Sequence, residues 1–423
     1  MNIAVIGSGG REHALCFKLK ESKLINQIIC VPGNAGTSKI AKNIDAKISD
    51  FENLYKIFIE NKVDLIVVGP EQPLVDGIVD FFDEKKIKIF GPNKIASQLE
   101  GSKSFMKNMC KENNIPTANF GIFKNIDEVK EFIKQNKTPI VVKADGLASG
   151  KGVAVCQTKD EAVKFSEEIF KGKFKSSSKV VLEKFLEGEE MSYFVIADSK
   201  THKFFGSAQD HKRVGENDVG PNTGGMGAYS PSAIINEELK NKIENKIIIP
   251  TLEGMKKNGN AFKGFLYAGL MINKGEPFLI EYNIRMGDPE CQPIMTRLES
   301  DLCEIIKSAT ENNLDKINIK WKSKKSMCIV LCTNGYPGKY KKDLEIENIN
   351  KLEKNKEDYI FHAGTYEKNN KIYSSGGRVL NICSMSEKLV DARNSIINLL
   401  RKLDWKHGFY RKDIGWRAIK NNK

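Results

Sequence analysis

Over the first hundred positions, short apolar runs alternate with longer stretches in which apolar residues recur every three or four positions. The runs at 2–6, 28–31, 64–69 and 88–91 have the length and Val/Ile content of buried strands, and the stretches at 11–20 and 50–62 have helical spacing. Alternation of this kind predicts a parallel, doubly wound sheet. A helix expected at 102–114 leads to Pro116, and the texture then changes. Strands are expected at 138–143, 152–156, 179–185 and 191–198, closer together than before. The runs 262–272 and 277–285 read as an antiparallel pair around the turn Asn273-Lys274-Gly275-Glu276. Beyond Trp321 the pattern predicts strands at 326–332, 358–366 and 371–383 and a helix from about 386 to 402.

These changes of texture place boundaries near 101 and 324, so the expected domains are 1–101, 102–323 and 324–423. A length of 423 residues agrees with three domains, at about 150 residues each. The fold class is α/β, with an N-terminal doubly wound parallel sheet and a strand-rich C-terminal domain. Hydrophobic residues at 40% and charged residues at 29% describe a globular chain and exclude a disordered, collagen-like or disulfide-framework protein. Lys and Arg number 67 against 54 Asp and Glu, a formal charge of +13. The lysines are spread along the chain, with short clusters only at 322–325 and 339–342, which reads as a solvated basic surface rather than a nucleic-acid groove. The nine cysteines form no CxxC pair and several sit in apolar runs, so buried, reduced thiols are expected and zinc is disfavoured. No run of about 18 apolar residues and no basic leader occurs, so the expected location is the cytoplasm, without a membrane partner.

Candidate chemistry begins where the first strand opens into Gly7-Ser8-Gly9-Gly10-Arg11-Glu12. A phosphate could sit there on backbone N–H groups. The dinucleotide fingerprint would need Gly at position 12 and an acid ending the second strand, and neither is present. Loops with Pro32-Gly33-Asn34-Ala35-Gly36-Thr37 and Gly69-Pro70-Glu71 follow the next two strands, on the same rim. The run from Lys143 through Gly146, Ser149, Gly150, Lys151 and Gly152 fails as a P-loop by spacing and by the lack of a Ser/Thr at 152. It reads as a Gly-rich hairpin able to fold over phosphates, with Lys143 and Lys151 supplying charge.

The strand at 279–285 places Glu281, Asn283 and Arg285 on one face with Leu279, and Ile280, Tyr282 and Ile284 on the other. A carboxylate and an amide oxygen are hard donors suited to Mg²⁺, and an arginine beside them can neutralise a phosphoryl group. Gly287-Asp288-Pro289-Glu290 follows at once. The segment 209–228, with Asp210, His211, Lys212 and Arg213, reads as one long polar loop of the kind that carries function, and the group as a possible binder of an anionic substrate. Glu183 to Glu190 close a strand where a base and a ribose could be held, although taken alone the run reads as a strand, a turn and solvated acids.

Taken in order, GSGGREHAL (7–15), PGNAGT (32–37), VGPEQPLVDG (68–77), VVKADGLASGKGV (141–153), LEKFLEGEE (182–190), QDHKR (209–213), GPNTGGMGAYSP (220–231) and IEYNIRMGDPE (280–290) resemble the phosphoribosylamine–glycine ligases, members of the ATP-grasp superfamily. The resemblance implies a central ATP-grasp domain of two α+β subdomains, with a nucleotide lid over roughly 121–190. It also implies the reaction: ATP, glycine and 5-phosphoribosylamine give glycinamide ribonucleotide, ADP and phosphate by way of glycyl phosphate, the second step of de novo purine synthesis. By position, Lys103 and Lys143 resemble the superfamily's phosphate-binding lysines. Glu183, Lys184, Phe185 and Leu186 resemble its adenine hinge, and Glu190 its ribose carboxylate. Glu281 and Asn283 resemble its ligands for Mg²⁺ or Mn²⁺, and Arg285 its phosphoryl-stabilising arginine, with Lys143 the second catalytic group. Gly9, Gly10, Arg11, Asn34, Gly36 and Glu71 are assigned to the glycine and phosphoribosylamine pockets. So are Asp210, Lys212, Pro221, Thr223, Gly224, Gly225, Met226, Asp288, Pro289 and Glu290.

Two departures stand out. The strand before 280–285 offers no acid as a further metal ligand, and Met286 stands where the commonest family form has Phe. Arg378, in the Gly376-Gly377-Arg378 run, is expected to reach the active site, and the family analogy favours a monomer. Rival readings are another carboxylate–amine ligase or biotin-carboxylase-type enzyme, a nucleic-acid binder and a dehydrogenase. The GPNTGGMGAYSP and RMGDPE runs, the dispersed lysines and Glu12 disfavour them in turn.

Overall fold

In the computed structural model, which describes residues 1–148, 152–174 and 177–421, the chain opens with β1 (Asn2–Gly7), β2 (Gln27–Pro32), β3 (Lys42–Asn43), β4 (Leu65–Val68) and β5 (Lys88–Phe90). They form a parallel sheet in the order β3-β2-β1-β4-β5. Both faces are covered, which is why the strands are continuous apolar runs. Ala4, Ile6 and Ile66 pack against Leu54 and Phe58, and Ile3, Val5 and Val67 pack against Leu15 and Leu19 of the helix Gly10–Lys20. Each fully buried Ile, Val or Leu contributes roughly 1.5–3 kcal/mol.

β6 (Phe120–Phe123), β7 (Ile140–Ala144), β8 (Val153–Cys156) and β9 (Val180–Lys184) make an antiparallel sheet in the order β6-β9-β7-β8. Helices Ile126–Gln135 and Lys159–Phe170 cover it around a separate core of Val129, Ile133, Val142, Ala162 and Leu182. The second helix starts at a Thr158/Glu161 capping box, which satisfies backbone donors that the helix itself leaves open.

The remaining strands are β10 (Glu189–Asp198), β11 (His202–Asp210), β12 (Arg213–Gly215), β13 (Val219–Asn222), β14 (Gly227–Ser230), β15 (Lys263–Asn273), β16 (Glu276–Asn283), β17 (Lys325–Thr333), β18 (Asp358–His362), β19 (Thr365–Lys368), β20 (Lys371–Ser374), β21 (Arg378–Ser386) and β22 (Gly408–Phe409). Nine of them join one sheet, β16-β15-β10-β11-β14-β17-β21-β18, with β22 on β17. The segment 209–228 is therefore no single loop: it holds the hairpin β12–β13 and the strand β14. β14 pairs with β17, so the sheet runs across the position near 324. The runs 358–366 and 371–383 each divide in two. Gly364 and Gly376 pack backbone against backbone there, leaving no room for a Cβ between them.

All nine cysteines are buried and free of disulfides. Among the described residues no helix is long and apolar enough to cross a membrane.

Candidate active site

With β1 and β4 adjacent at the centre of the order β3-β2-β1-β4-β5, the connections leave them in opposite directions and a crevice opens at their carboxyl ends. Arg11 follows β1 and Glu71 follows β4, and both line a cleft of about 1160 Å³. This exceeds the roughly 300–1,000 Å³ of a single-ligand site, so the cleft can take several small molecules. At its base the Glu12 carboxylate accepts the Gly9 N–H at 2.6 Å and pairs with Arg11 at 2.6 Å. It lies against Gly7 and Gly69 as well. Glu12 thus fills the turn where a dinucleotide pyrophosphate would rest.

Of the residues expected from the sequence, Arg11, Glu71, Lys103, Lys143, Gly152, Glu183, Lys184, Phe185, Leu186 and Glu190 line the cleft. Asp210, Lys212, Thr223, Gly224, Glu281, Asn283, Arg285, Asp288 and Glu290 line it too. The Gly146 carbonyl accepts from Lys103 at 3.0 Å. Ser149, Gly150 and Lys151 lie outside the described residues.

Nine expected residues among those described, Gly146 included, are not among those lining the cleft. Gly10 packs against the amides of Asn381 and Gln292, and Gly36 against His13 and His362. Asn34 donates to the carbonyls of Ser8 and His362, both at 2.8 Å, so the loop after β2 is covered by the C-terminal unit. Gly9 is engaged with Glu12, Pro221 is exposed on β13, and Met226 is buried in the C-terminal core. Gly225 adopts φ +111°, and a Cβ there would run into Pro289 and Asp210. Gly225 and Pro289 thereby set the approach of two cleft-lining loops.

The alternation expected along 279–285 is broken by a bulge. Glu281 pairs with Gly269 and Leu279 with Leu270, which leaves Ile280 as the extra residue. Leu279 therefore turns into the core with Tyr282 and Ile284, while Ile280 lines the cleft with Glu281, Asn283 and Arg285. This corrects the face expected for Leu279 and Ile280.

Charges inside the cleft are arranged in linked groups. Arg285 lies 3.2 Å from Glu71 and 2.8 Å from Glu100, which also accepts the Ile284 N–H. Arg285 holds the Glu71 carboxyl down at about 2, whereas burial pushes Glu100 up despite the same arginine. Lys212 lies 3.1 Å from Glu190 and 3.8 Å from Glu281, and Glu190 chiefly raises its pKa. Burial opposes ionisation of Glu281, but Lys212, Lys143, Lys103 and Arg285 outweigh it and hold the carboxyl low. Asp210 is pushed up by burial and by nearby Glu290. His211 is lowered to about 4 by burial, and its Nε2 accepts the Gly415 N–H at 3.0 Å. At neutral pH it is uncharged, so Lys212 rather than His211 supplies the positive charge there.

Glu281 and Asn283 project two oxygen donors into this ionised region. Gly269 and Tyr267 stand opposite them, so β15 adds no acid. Among the described residues no group of three or more His, Cys, Asp or Glu side chains could hold a metal ion. The donor pair fits a cation of the Mg²⁺ type whose shell is completed by phosphate and water.

Three residues that sequence reasoning did not assign to the site line it or support its side chains: Glu12, Glu100 and Lys107. Glu12 and Glu100 carry no local signal beyond being buried acids at the starts of helices. Lys107 is a lysine inside a helix repeat. Arg378, expected near the site without a role, donates to the carbonyls of Gly224 and Asp288, both at 2.6 Å, and pairs with the Asp288 carboxylate at 3.3 Å.

A family model described as phosphoribosylglycinamide synthetase, N domain, matches residues 1–100. The ATP-grasp (A) domain model of the same synthetase matches 101–291, and its C domain model matches 326–417. The chain belongs to the phosphoribosylglycinamide synthetase family. A phosphoribosylamine–glycine ligase of Brucella melitensis is 46% identical over 424 residues, covering 100% of this chain and 99% of its own. The crystal structure of a phosphoribosylamine–glycine ligase from Thermotoga maritima superposes with a TM-score of 0.86 at 32% identity, covering 98% of this chain and 100% of that one. The biotin carboxylase domain of 2-oxoglutarate carboxylase from Hydrogenobacter thermophilus, crystallised with MgADP, ADP and bicarbonate, gives 0.73 at 17% identity, covering 95% and 89%. That last likeness concerns the fold alone. The phosphoribosylglycinamide synthetase architecture accounts for the three units seen here: a parallel sheet, an ATP-grasp domain and a C-terminal domain.

Proposed function

We propose that the chain joins glycine to 5-phosphoribosylamine using ATP, giving glycinamide ribonucleotide, ADP and phosphate. One observation carries this reading. Lys103, Lys143 and Arg285 converge with Glu281 and Asn283 in a single cleft, in a chain matched from end to end by a ligase of that name. A glycine carboxylate oxygen attacks the γ-phosphorus of ATP and ADP leaves. The amine of phosphoribosylamine then attacks the acyl carbon of glycyl phosphate, the nitrogen gives up a proton, and phosphate departs. No protein nucleophile is needed, so the residues position substrates and neutralise charge.

In this reading Lys103, Lys143 and Arg285 face the phosphates. The backbone of 183–186 reads the adenine, and Glu190 holds the ribose. Glu281 and Asn283 would hold Mg²⁺ or Mn²⁺, which when bound supplies charge neutralisation at the transferred phosphoryl group. Arg11, Asp210, Lys212, Thr223, Gly224, Asp288 and Glu290 remain for glycine and phosphoribosylamine, on walls shaped by Gly225 and Pro289. The proposed units are 1–101, 102–323 and 324–423, working as a cytoplasmic monomer.

The test is ADP release with ATP and Mg²⁺, adding glycine and freshly formed 5-phosphoribosylamine separately and together. Release that needs both supports the reading. Folded protein whose ADP release depends on neither overturns it.

A further inference from the structure

One member of a buried charge cluster, Lys107, takes no part in that scheme. Lys107, on the helix Lys103–Glu112, is fully buried. Its ammonium lies 3.0 Å from Glu183 Oε2 and donates to Thr117 Oγ at 2.6 Å. Thr117 in turn donates to the Leu279 carbonyl at 2.6 Å. Lys143 occupies the other oxygen of Glu183 at 2.8 Å and donates to the Ile280 carbonyl at 3.2 Å. Two lysines therefore share one carboxylate, and the cluster carries one positive charge in excess.

Neutralising Glu183 would take a single lysine. A second ammonium kept out of water costs several kcal/mol of desolvation unless it is paired. The two lysines also differ in reach. Lys143 lines the cleft and Lys107 does not. Lys107 is fixed instead through Thr117 to β16, the strand that carries Glu281 and Asn283.

We infer that Lys107 is the standing counter-ion of Glu183, a positioning residue that frees Lys143 to turn its ammonium toward a nucleotide phosphate. This inference rests on the ATP-dependent reading above. Were Glu183 paired with Lys143 alone, any anion recruiting Lys143 would strand a buried carboxylate. With Lys107 in place, Glu183 keeps a cation whichever way Lys143 points.

The test is the dissociation constant of a non-hydrolysable ATP analogue, measured by calorimetry on folded wild type, Lys107→Met, Glu183→Gln and the double variant. Lys107→Met weakens binding about tenfold to a hundredfold, the size of one hydrogen bond to a charged group. The double variant recovers most of that loss, because no carboxylate is left to hold Lys143. A merely structural role for Lys107 would make the double variant bind no better than the single. Lys107→Met at wild-type affinity, or no recovery in the double variant, overturns the inference. Should Lys107→Met not fold, the double variant is compared with Glu183→Gln: affinities within threefold support the inference, and a larger loss overturns it. Wild type that binds the analogue with these responses but releases no ADP with glycine and phosphoribosylamine removes the substrate pair and supports the role of Lys107.

Discussion

Arg378 ties the C-terminal unit to the chemistry, and its removal is the sharpest test of how the cleft is held together. From β21 its guanidinium reaches two loops distant in sequence, at Gly224 and at Asp288. Hydrogen bonds from a charged donor are worth about 1.5–3 kcal/mol each. Both short bonds use the same nitrogen, and the side chain is 22% exposed, so full additivity does not apply. About 3 kcal/mol of loop positioning is a reasonable total, equivalent to a loss in kcat/KM on the order of a hundredfold for Arg378→Ala. Arg378→Lys keeps the charge but not the fork, and should lose about tenfold, one bond's worth. The assay is steady-state ADP release with each substrate varied, beside ATP-analogue affinity and thermal unfolding. Analogue affinity should stay near wild type, because the contacts of Arg378 are with the Gly224 and Asp288 loops and not with Lys143 or the 183–186 hinge. Arg378→Ala with kcat/KM within threefold of wild type would refute the idea that the C-terminal unit holds these loops in place.

Three further outcomes are expected. His13 and His362 are buried and lowered to about 3, chiefly by burial, and His13 Nδ1 accepts the His362 N–H at 2.8 Å. Below pH 6.5 the unfolded chain takes up protons that these rings refuse, so stability falls as pH drops from 6.5 toward 3, by at most about 1.4 kcal/mol per pH unit for each histidine. Glu71, at about 2, adds its own loss only below its ordinary value of 4.5; urea midpoints that stay level between pH 7 and pH 5 would contradict the histidine assignment. Glu281→Gln should abolish divalent-cation-dependent ADP release and weaken Mn²⁺ binding followed by relaxation of water protons, with the unfolding temperature within a few degrees of wild type; unchanged Mn²⁺ affinity would remove Glu281 from the metal site. Gly10→Ala drives a Cβ into the Asn381 amide and should cost about 1–3 kcal/mol in unfolding experiments, much of it recovered by adding Asn381→Ala; a Gly10→Ala protein as stable as wild type would show that the junction relaxes freely.

Much of this protein can be read along one dimension. The apolar runs of β1, β2, β4 and β5 are short, rich in Val and Ile, and alternate with helical spacing, so their existence and their parallel arrangement follow from local pattern. The burial of all nine cysteines follows in the same way, as does the place of Glu281, Asn283 and Arg285 together on the cleft wall. Periodicity states which face of a segment is buried, but not against what. The run 227–230 is short and glycine-bearing, so nothing local marks it as the strand that joins the central and C-terminal units through β17. Asn34 and Gly36 have the composition of a ligand loop, and only the docking of His362 shows that the C-terminal unit covers them. One extra residue at Ile280 shifts the phase of β16 and exchanges the faces of Leu279 and Ile280, a change invisible to strict alternation. Arg285 draws its counter-charges from Glu71 and Glu100, more than a hundred residues away, and Lys143 shares Glu183 with Lys107. Such pairings form because burial in a medium of low dielectric forces distant charges to meet, a condition that exists only once the chain has folded.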